Sequence, residues 1–272
     1  LSLQIPLPPF SEQQRIIIEM EHLFTLIDKV EENKYDLQAI IKQAKNKILD
    51  LAIHGKLVQQ DLNEEPASEL LKRINPKAEI TCDNGQYGKR PFEIPNSWCW
   101  SRLGDINNIA RGGSPRPIKD YLTDDKNGIN WIKIGDTTRE GKYIDSVKEK
   151  IRPEGMKKSR FVHKGDFLLT NSMSFGRPYI LNVDGCIHDG WLVISPIGEV
   201  YTSDFLYHLL SSSFAFEQFT NVASGGVVTN LNSDKVADTI FPVPPLAEQQ
   251  RIVAKIEKLF EQLDYIENSL EA

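Results

Sequence analysis

Basic side chains are concentrated in one stretch of this sequence, and they are the groups best suited to bind a polyanion. From position 148 to position 164 the chain carries seven lysines or arginines against two glutamates. Such a run usually forms a solvated surface, but it can also contact the phosphates of a nucleic acid. The candidate contacts in this stretch are Lys148, Lys150, Arg152, Lys157, Lys158 and Arg160.

Three polar loops contain further groups that can bind phosphates or base edges. They read RGGSPR at 111–116, SMSFGR at 172–177 and ASGGVVTN at 223–230. Arginine forks, hydroxyls and the backbone N–H groups of Gly-rich loops suit both kinds of contact, although tight turns use Gly and Ser in any case. The candidate residues in these loops are Arg111, Ser114, Arg116, Ser172, Ser174, Arg177, Thr229 and Asn230.

Signatures of catalysis and of cofactor binding are missing from the sequence. It contains no GxxxxGK[ST] phosphate loop, no GxGxxG motif that opens a helix, and no Asn/Asp-Pro-Pro-aromatic stretch of the methyltransferase type. The histidines show no metal-ligand spacing, and chance explains the adjacency of His188 and Asp189 as readily as function does. We therefore expect no catalytic residue, no metal and no cofactor bound by this chain itself.

Composition and charge are those of an ordinary soluble globular protein. The 272 residues are 40% hydrophobic and 26% charged, with a net charge of −6. An acidic chain does not bind polyanions over its whole surface, so nucleic-acid binding requires a local basic face. No apolar run is long enough for a membrane span, no signal peptide is recognisable, and the three cysteines are widely spaced. We expect a cytoplasmic protein with free thiols.

A duplicated segment provides the elements that position these residues. Residues 6–31, PLPPFSEQQRIIIEMEHLFTLIDKVE, match residues 242–267, PVPPLAEQQRIVAKIEKLFEQLDYIE, at many positions. In each copy prolines impose an extended start, and a helix with a glutamate in its first turn follows. Ser11 is the predicted N-cap of the first helix, with Gln14 as its capping-box partner. The two copies are equivalent joints on either side of one intervening body.

Both joints lead into helices with a narrow apolar seam. Apolar residues recur with a 3.5-residue period from Ile16 to Leu51, and again from Ile252 to Leu270. This period favours a coiled coil, and the alternative is an amphipathic helix that lies on a globular core. Gly55 is the predicted end of the first helix, which would then be about 65 Å long.

Short β-like runs dominate the body between the joints. They lie at 128–135, 166–170, 179–183 and 190–194, and one helical stretch covers 203–219. We therefore predict an α+β fold in which one mixed α/β domain with substantial strand content is combined with long helices.

The joint sequence resembles a family signature. PVPPLAEQQRIVAKIEKLFEQLD is similar to the Pro-Pro-x-x-Glu-Gln-x-x-Ile element of type I restriction specificity subunits, which ends each target recognition domain and opens a long helix. AIHGKLVQQDLNEEPASELLKRI at 52–74 resembles the family segment after the central helix, and PFEIPNSWCWSRLGDI at 91–106 resembles the start of a recognition domain. The resemblance divides the chain into the tail of a preceding recognition domain (1–10), a spacer helix (11–56), a linker (57–96), a target recognition domain (97–240) and a second spacer helix (241–272).

The resemblance implies a sequence-specific DNA-binding subunit without catalysis. In that family two recognition domains, held apart by helices that pair as an antiparallel coiled coil, each read half of an interrupted site on double-stranded DNA. A methylation subunit, which binds S-adenosylmethionine, and a motor–nuclease subunit are the expected partners, and no membrane is involved.

The sequence contains one complete recognition domain, which leaves two interpretations. The chain is either the C-terminal portion of a full subunit or a half-subunit that forms a homodimer through the coiled coil and reads a palindromic site. A scaffold that binds partner subunits without reading DNA alone is the alternative function, and a hidden nuclease or transferase is a third. The target sequence and the length of its gap cannot be derived from the sequence.

Overall fold

The longest described element of the chain is a 44-residue helix, α1 (Phe10–Ile53). The computed structural model describes residues 7–77, 91–138, 141–171, 175–223 and 230–269. The chain divides into two compact units, residues 1–47 with 259–272 and residues 48–258, and each is described by itself.

The start of α1 is fixed by the proline segment before it. The backbone N–H groups of Glu12 and Gln13 both donate to the Pro9 carbonyl, at 2.9 and 3.0 Å. The helix therefore starts one residue earlier than we predicted, and Ser11 lies inside its first turn. The predicted N-cap role of Ser11 is wrong, because Pro9 already supplies the first carbonyl acceptor.

The end of α1 is fixed by a left-handed glycine, as the sequence predicted. Gly55 has a φ of 68°, and the Lys56 N–H donates to the Leu51 carbonyl at 2.8 Å. This is the pattern of a glycine-terminated helix. A Cβ at Gly55 would also lie 2.4 Å from the Pro95 ring. Both the backbone conformation and this steric clash therefore exclude a larger residue at position 55.

In the first unit, α1 is joined to the last helix, α7 (Leu246–Ser269), by a lysine. Lys45 Nζ lies 2.6 Å from Asp264 Oδ1 and 3.0 Å from Glu267 Oε2. Burial lowers the pKa of Lys45, but the hydrogen bonds that the ammonium donates to the two carboxylates outweigh it, and the pKa is raised. The antiparallel coiled coil stays a prediction, which this contact supports at one point.

The N-terminal half of α1 exposes most of its apolar residues. Among them, Ile16 is 44% exposed and Ile17 is 54% exposed. The other exposed apolar side chains of this half are Ile18, Met20, Leu23, Phe24, Leu26, Ile27 and Val30. A patch of this kind marks an interaction surface on a folded protein.

The body, in the second unit, combines short helices with three described sheets. The helices are α2 (Ala67–Ile74), α3 (Pro153–Met156), α4 (Ser203–Leu210), α5 (Ser213–Ala223) and α6 (Ser233–Ala237). The strands are β1 (Cys99–Arg102), β2 (Asn107–Arg111), β3 (Leu122–Thr123), β4 (Ile129–Ile132), β5 (Tyr143–Ile144), β6 (Lys150–Ile151), β7 (Arg160–Val162), β8 (Phe167–Thr170), β9 (Pro178–Leu181), β10 (Gly185–Ile187), β11 (Trp191–Pro196) and β12 (Ile240–Val243). Each predicted β-like run contains a strand, and the α+β class is confirmed.

Two five-stranded sheets share one core. Their strand orders are β3-β6-β4-β10-β7 and β2-β11-β8-β9-β5, and β1 pairs with β12 in a separate two-stranded sheet. Ile132 and Ile187 of the first sheet pack with Leu168, Tyr179 and Trp191 of the second, all 0–2% exposed. Because the two sheets are fixed face to face, the loops at their strand ends are held in a defined arrangement.

The helical stretch predicted at 203–219 is two helices rather than one. Ser212 Oγ donates to the Leu209 carbonyl at 2.6 Å and accepts from the Ala215 N–H at 3.1 Å. Its hydroxyl therefore closes α4 and caps α5, a competition that short polar side chains commonly win. Phe205 is buried, whereas Phe216 is 51% exposed.

The Glu-Gln pair of the second joint, which we call the Glu-Gln junction (Glu248 and Gln249), attaches α7 to the body. Glu248 accepts from Trp98 Nε1 at 2.9 Å and from Gln60 Nε2 at 2.5 Å. Burial raises the pKa of Glu248, although these two hydrogen bonds act in the opposite direction. A buried carboxylate of this kind is tolerated because both oxygens have donors.

Gln249 completes the junction through its amide. Its Oε1 accepts from the Thr202 N–H at 2.8 Å, and its Nε2 donates to the carbonyls of Val200 and Pro244 at 2.8 and 3.0 Å. In the first joint, Gln13 Nε2 donates to the Pro8 carbonyl at 2.8 Å, which matches the bond to Pro244. The Glu-Gln junction is thus a structural connection between α7 and the body.

Two further sequence expectations concern thiols and membranes. Cys99 and Cys186 are buried and belong to no disulfide, and Cys82 lies outside the described residues. Burial raises the pKa of Cys186, which makes its thiol unreactive. None of the helices in the described ranges is both long and apolar enough to cross a membrane.

Candidate nucleic-acid interface

The Gly-rich loop at 111–116 is held against the turn between β10 and β11. Gly112 N–H donates to the Trp191 carbonyl at 2.9 Å, and Gly113 N–H donates to the Ile187 carbonyl at 3.1 Å. A Cβ at Gly112 would lie 2.1 Å from the His188 carbonyl oxygen, so the close approach requires glycine. Both N–H groups serve the fold, and they are not the phosphate ligands that the loop sequence suggested.

Side chains of the same loop converge on Asp189. Its carboxylate accepts from Ser114 Oγ at 2.7 Å and from an Arg116 terminal nitrogen at 3.3 Å. Its backbone carbonyl accepts from Arg111 Nε at 3.1 Å. The hydrogen bond from Ser114 is the main reason that the pKa of Asp189 is lowered, with Arg116 as a weaker contributor. Three predicted site residues therefore meet at Asp189, two at its carboxylate and one at its backbone carbonyl.

Asn171 connects this cluster to the other two predicted loops. It is 1% exposed, and its Nδ2 donates to the Asp189 carbonyl at 3.0 Å. Its backbone N–H donates to the Gly190 carbonyl at 3.0 Å, and its carbonyl accepts from the Leu231 N–H at 3.3 Å. Asn171 thus connects the end of β8 with the turn before β11 and with Leu231, through its backbone and its side chain.

Some of the predicted loop residues cannot be placed. Ser172, Ser174 and Thr229 lie outside the described residues. Asn230 is exposed beside Leu231. Arg177 is half-buried, and its guanidinium carbon lies 5.3 Å from the centroid of the Tyr179 ring, which is a cation–π contact.

The second half of the basic run reaches the Gly-rich loop. Arg160 Nε donates to the Arg111 carbonyl at 3.3 Å, and Ser159 Oγ donates to the Ile187 carbonyl at 3.0 Å. Lys158 Nζ donates to the Tyr121 hydroxyl at 2.6 Å. Lys157, next to it, is exposed. Arg160 is thus attached to the loop whose Arg111 and Arg116 contact Asp189.

The first half of the basic run lies elsewhere in the sheet. Lys148 and Lys150 flank Glu149 at β6, and Lys150 Nζ donates to the Lys126 carbonyl at 2.6 Å. Two strands separate β6 from β7, which corresponds to roughly 14 Å. Arg152 is exposed beyond β6. The run is therefore divided between two regions, which the linear sequence does not reveal.

His188 has a structural role beside Asp189. The Gly190 N–H donates to His188 Nδ1 at 2.9 Å, and the Ile134 N–H approaches Nε2 at 3.3 Å. Burial lowers the pKa of His188, although Asp189 acts in the opposite direction. A neutral ring that accepts at Nδ1 cannot donate to Asp189 from that atom, so the pair is not a catalytic dyad.

The arrangement suits recognition of a polyanion with a polar surface. It presents Arg111, Arg116 and Arg160 as exposed cations beside a hydroxyl and a carboxylate. Within the described ranges, no group of three or more His, Cys, Asp or Glu residues could hold a metal ion. The sequence missed Asp189 and Asn171 because neither stands in a motif, although the adjacency of Asp189 to the predicted strand β11 was visible.

Comparison with known proteins gives a consistent picture. A family profile described as type I restriction modification DNA specificity domain matches residues 95–272. The type I restriction enzyme EcoAI specificity subunit of Escherichia coli is 25% identical over 96% of the chain and 54% of its own length. The chain thus spans about half the length of the curated relatives that it matches.

Solved structures share the fold. The HsdS subunit from Thermoanaerobacter tengcongensis superposes with a TM-score of 0.57 at 19% identity, over 98% of this chain and 55% of that one. A chain from a structure of complex assembly and conformational transition of the type I R-M system gives a TM-score of 0.61 at 20% identity, over 98% and 56%.

Proposed function

Because the chain belongs to the family of type I restriction modification DNA specificity domains, we propose that its body reads one part of a target sequence on double-stranded DNA. One observation carries this proposal: Arg111, Ser114 and Arg116 of the Gly-rich loop converge on Asp189, which Asn171 also bonds. Arginines and a hydroxyl that are held in place in this way are suited to read base edges.

The test is a binding titration over a range of salt concentrations. Replacement of Lys157 and Lys158 by alanine should weaken binding to every duplex, and it should lower the slope of log K against log salt by up to about 2. The matched control replaces Lys255 and Lys258, two exposed lysines of α7 outside the body, and should leave the slope unchanged. An unaltered slope in the first variant would remove these lysines from the DNA surface.

We also propose that the chain is non-catalytic and works within a complex in the cytoplasm. The methylation subunit would bind S-adenosylmethionine and modify the DNA, and the motor–nuclease subunit would cleave it. The EcoAI relative is named as a specificity subunit of a type I restriction enzyme, which supports this assignment. Nuclease or methyltransferase activity from the purified chain alone would contradict it.

The exposed apolar residues of α1 support an additional scaffold function. Glu12, Gln13 and Ile16 are the first-joint counterparts of Glu248, Gln249 and Ile252, and the latter three are buried against the body. A second recognition body, supplied either by a longer form of the chain or by another copy, would cover the first joint in the same way. Co-purification with a methylation subunit without DNA binding would favour the scaffold function alone.

A further inference from the structure

Arg116 is an exposed arginine with a fixed attachment. Its side chain is 82% exposed, and one terminal nitrogen lies 3.3 Å from Asp189 Oδ2. Within the part of the chain that the structure describes, its guanidinium makes no other hydrogen bond. Most of the five N–H donors of this side chain are therefore left for a ligand, while the carboxylate restricts its orientation.

The carboxylate that holds Arg116 is itself fixed. Ser114 Oγ donates to Asp189 Oδ1 at 2.7 Å and lies 3.3 Å from the Asp189 N–H. Arg111 and Asn171 hold the Asp189 carbonyl at 3.1 and 3.0 Å. Because bonds from the Gly-rich loop and from Asn171 hold Asp189, its carboxylate restrains the arginine side chain before a ligand binds. Arg116 then loses less conformational entropy on binding.

The negative charge at this position bears on the kind of ligand. A site that only gripped phosphate would be weakened by a carboxylate within hydrogen-bond distance of its arginine, because the two anions repel. A base edge carries no net charge, so the same carboxylate costs little there. An arginine fork matches the two adjacent acceptors O6 and N7 of guanine in the major groove.

We propose that Asp189 is a specificity-determining residue, which orients Arg116 toward a guanine edge and disfavours phosphate at that guanidinium. This inference rests on the proposed DNA-reading function and goes beyond it by assigning the base and the supporting residue. Asp189 acts through Arg116 and is a positioning residue.

The experiment is a selection of random-sequence duplexes by the full chain. The wild type should enrich a motif with at least one G·C pair that is lost in Arg116→Ala. Asp189→Asn, which keeps the shape of the side chain but removes its charge, should relax that same position and no other. On the wild-type motif its affinity should fall about tenfold, while its affinity for a scrambled duplex should stay equal or rise.

Ser114→Ala is the second variant, because it keeps the carboxylate and removes one of its supports. We expect it to relax the preference for the same base pair by a smaller factor.

Equal loss of affinity for motif and scrambled duplex in Asp189→Asn, with a lower unfolding temperature, would show that Asp189 is only a structural residue and would overturn the inference. If Asp189→Asn kept the motif at every position, the inference would also be overturned, whereas the proposed DNA-reading function would stand. If the wild type enriches no motif, the proposed function fails first and this inference fails with it.

Discussion

At the scale of single residues, the hydrogen bond from Asn171 to the Asp189 carbonyl should contribute directly to the stability of the candidate site. Asn171→Ala removes the buried bond to the Asp189 carbonyl and should lower the free energy of unfolding by about 1–2 kcal/mol. Asn171→Asp should cost more, because a carboxylate faces the carbonyl oxygen without a proton to donate. Asn182→Ala is the control, since its bond to Asp145 is exposed. Urea unfolding measures all three, and equal effects at positions 171 and 182 would contradict the assignment.

A second residue-scale prediction concerns pH. Burial, and then the nearby Lys142, lowers the pKa of His208 to about 4. The folded state therefore binds this proton less readily than the unfolded state, whose histidine has a pKa near 6.5. The contribution to stability is present above about pH 6.5 and is lost as the pH falls toward 4, by an order of 3 kcal/mol at most.

The measurement compares unfolding free energies at pH 7 and pH 4.5. His208→Gln should show a smaller loss than the wild type over this interval, because glutamine does not titrate. His163→Gln, at an exposed histidine, should behave like the wild type. An identical pH dependence in all three proteins would show that His208 does not titrate as described.

Residue types alone identified part of the candidate site. Arg111, Ser114 and Arg116 could be selected because arginine and a hydroxyl in a Gly-rich loop are suited to DNA contact. Asp189 could not, because it lies 75 residues from Ser114 in the sequence and its partner is set by the pairing of β2 with β11. Contacts of that range follow from strand register, which a single sequence does not specify.

At the scale of elements, the Glu-Gln junction should contribute to the stability of the body. Gln249→Ala leaves the Thr202 N–H and two carbonyls without their partner and should cost about 2–3 kcal/mol. The matched control is Gln13→Ala at the equivalent position of the first joint, which has one described bond, to Pro8. Thermal unfolding of the isolated chain should show a clear difference between the two, and equal shifts would contradict it.

Element boundaries were predictable where one residue decides them. Gly55 ended α1 because its left-handed conformation is available to glycine, and each β-like run contained a strand because apolar residues of high β propensity lie there between turn residues. The break between α4 and α5 was missed, because the Ser212 hydroxyl competes with helix continuation in a way that helical periodicity does not report. The parallel pairs β4–β10 and β5–β9 join distant segments and were not predictable either.

At the scale of the whole molecule, the apolar surface of α1 should lead to self-association. We expect the isolated chain to form a homodimer at micromolar concentration, because residues such as Ile16 and Ile17 are exposed in the single chain. The variant Ile16→Glu, Ile17→Glu, Met20→Glu should be a monomer with an unchanged body. Light scattering after size exclusion measures the mass, and the control replaces the exposed lysines Lys29 and Lys42 by glutamate.

A monomeric wild type at every accessible concentration would contradict the homodimer. It would favour a longer subunit in which a second recognition body covers the first joint. The duplicated joint was visible in the sequence. Which copy is buried and which is exposed was not visible, because burial depends on what packs against each copy.

Asn171 directly follows β8 and bonds Gly190 and Asp189, which lie just before β11, and Leu231. Protein engineers who vary the exposed arginines and lysines near this residue to alter the recognition sequence should therefore keep Asn171 itself. Melting behaviour would be an early check that the scaffold has accepted such changes.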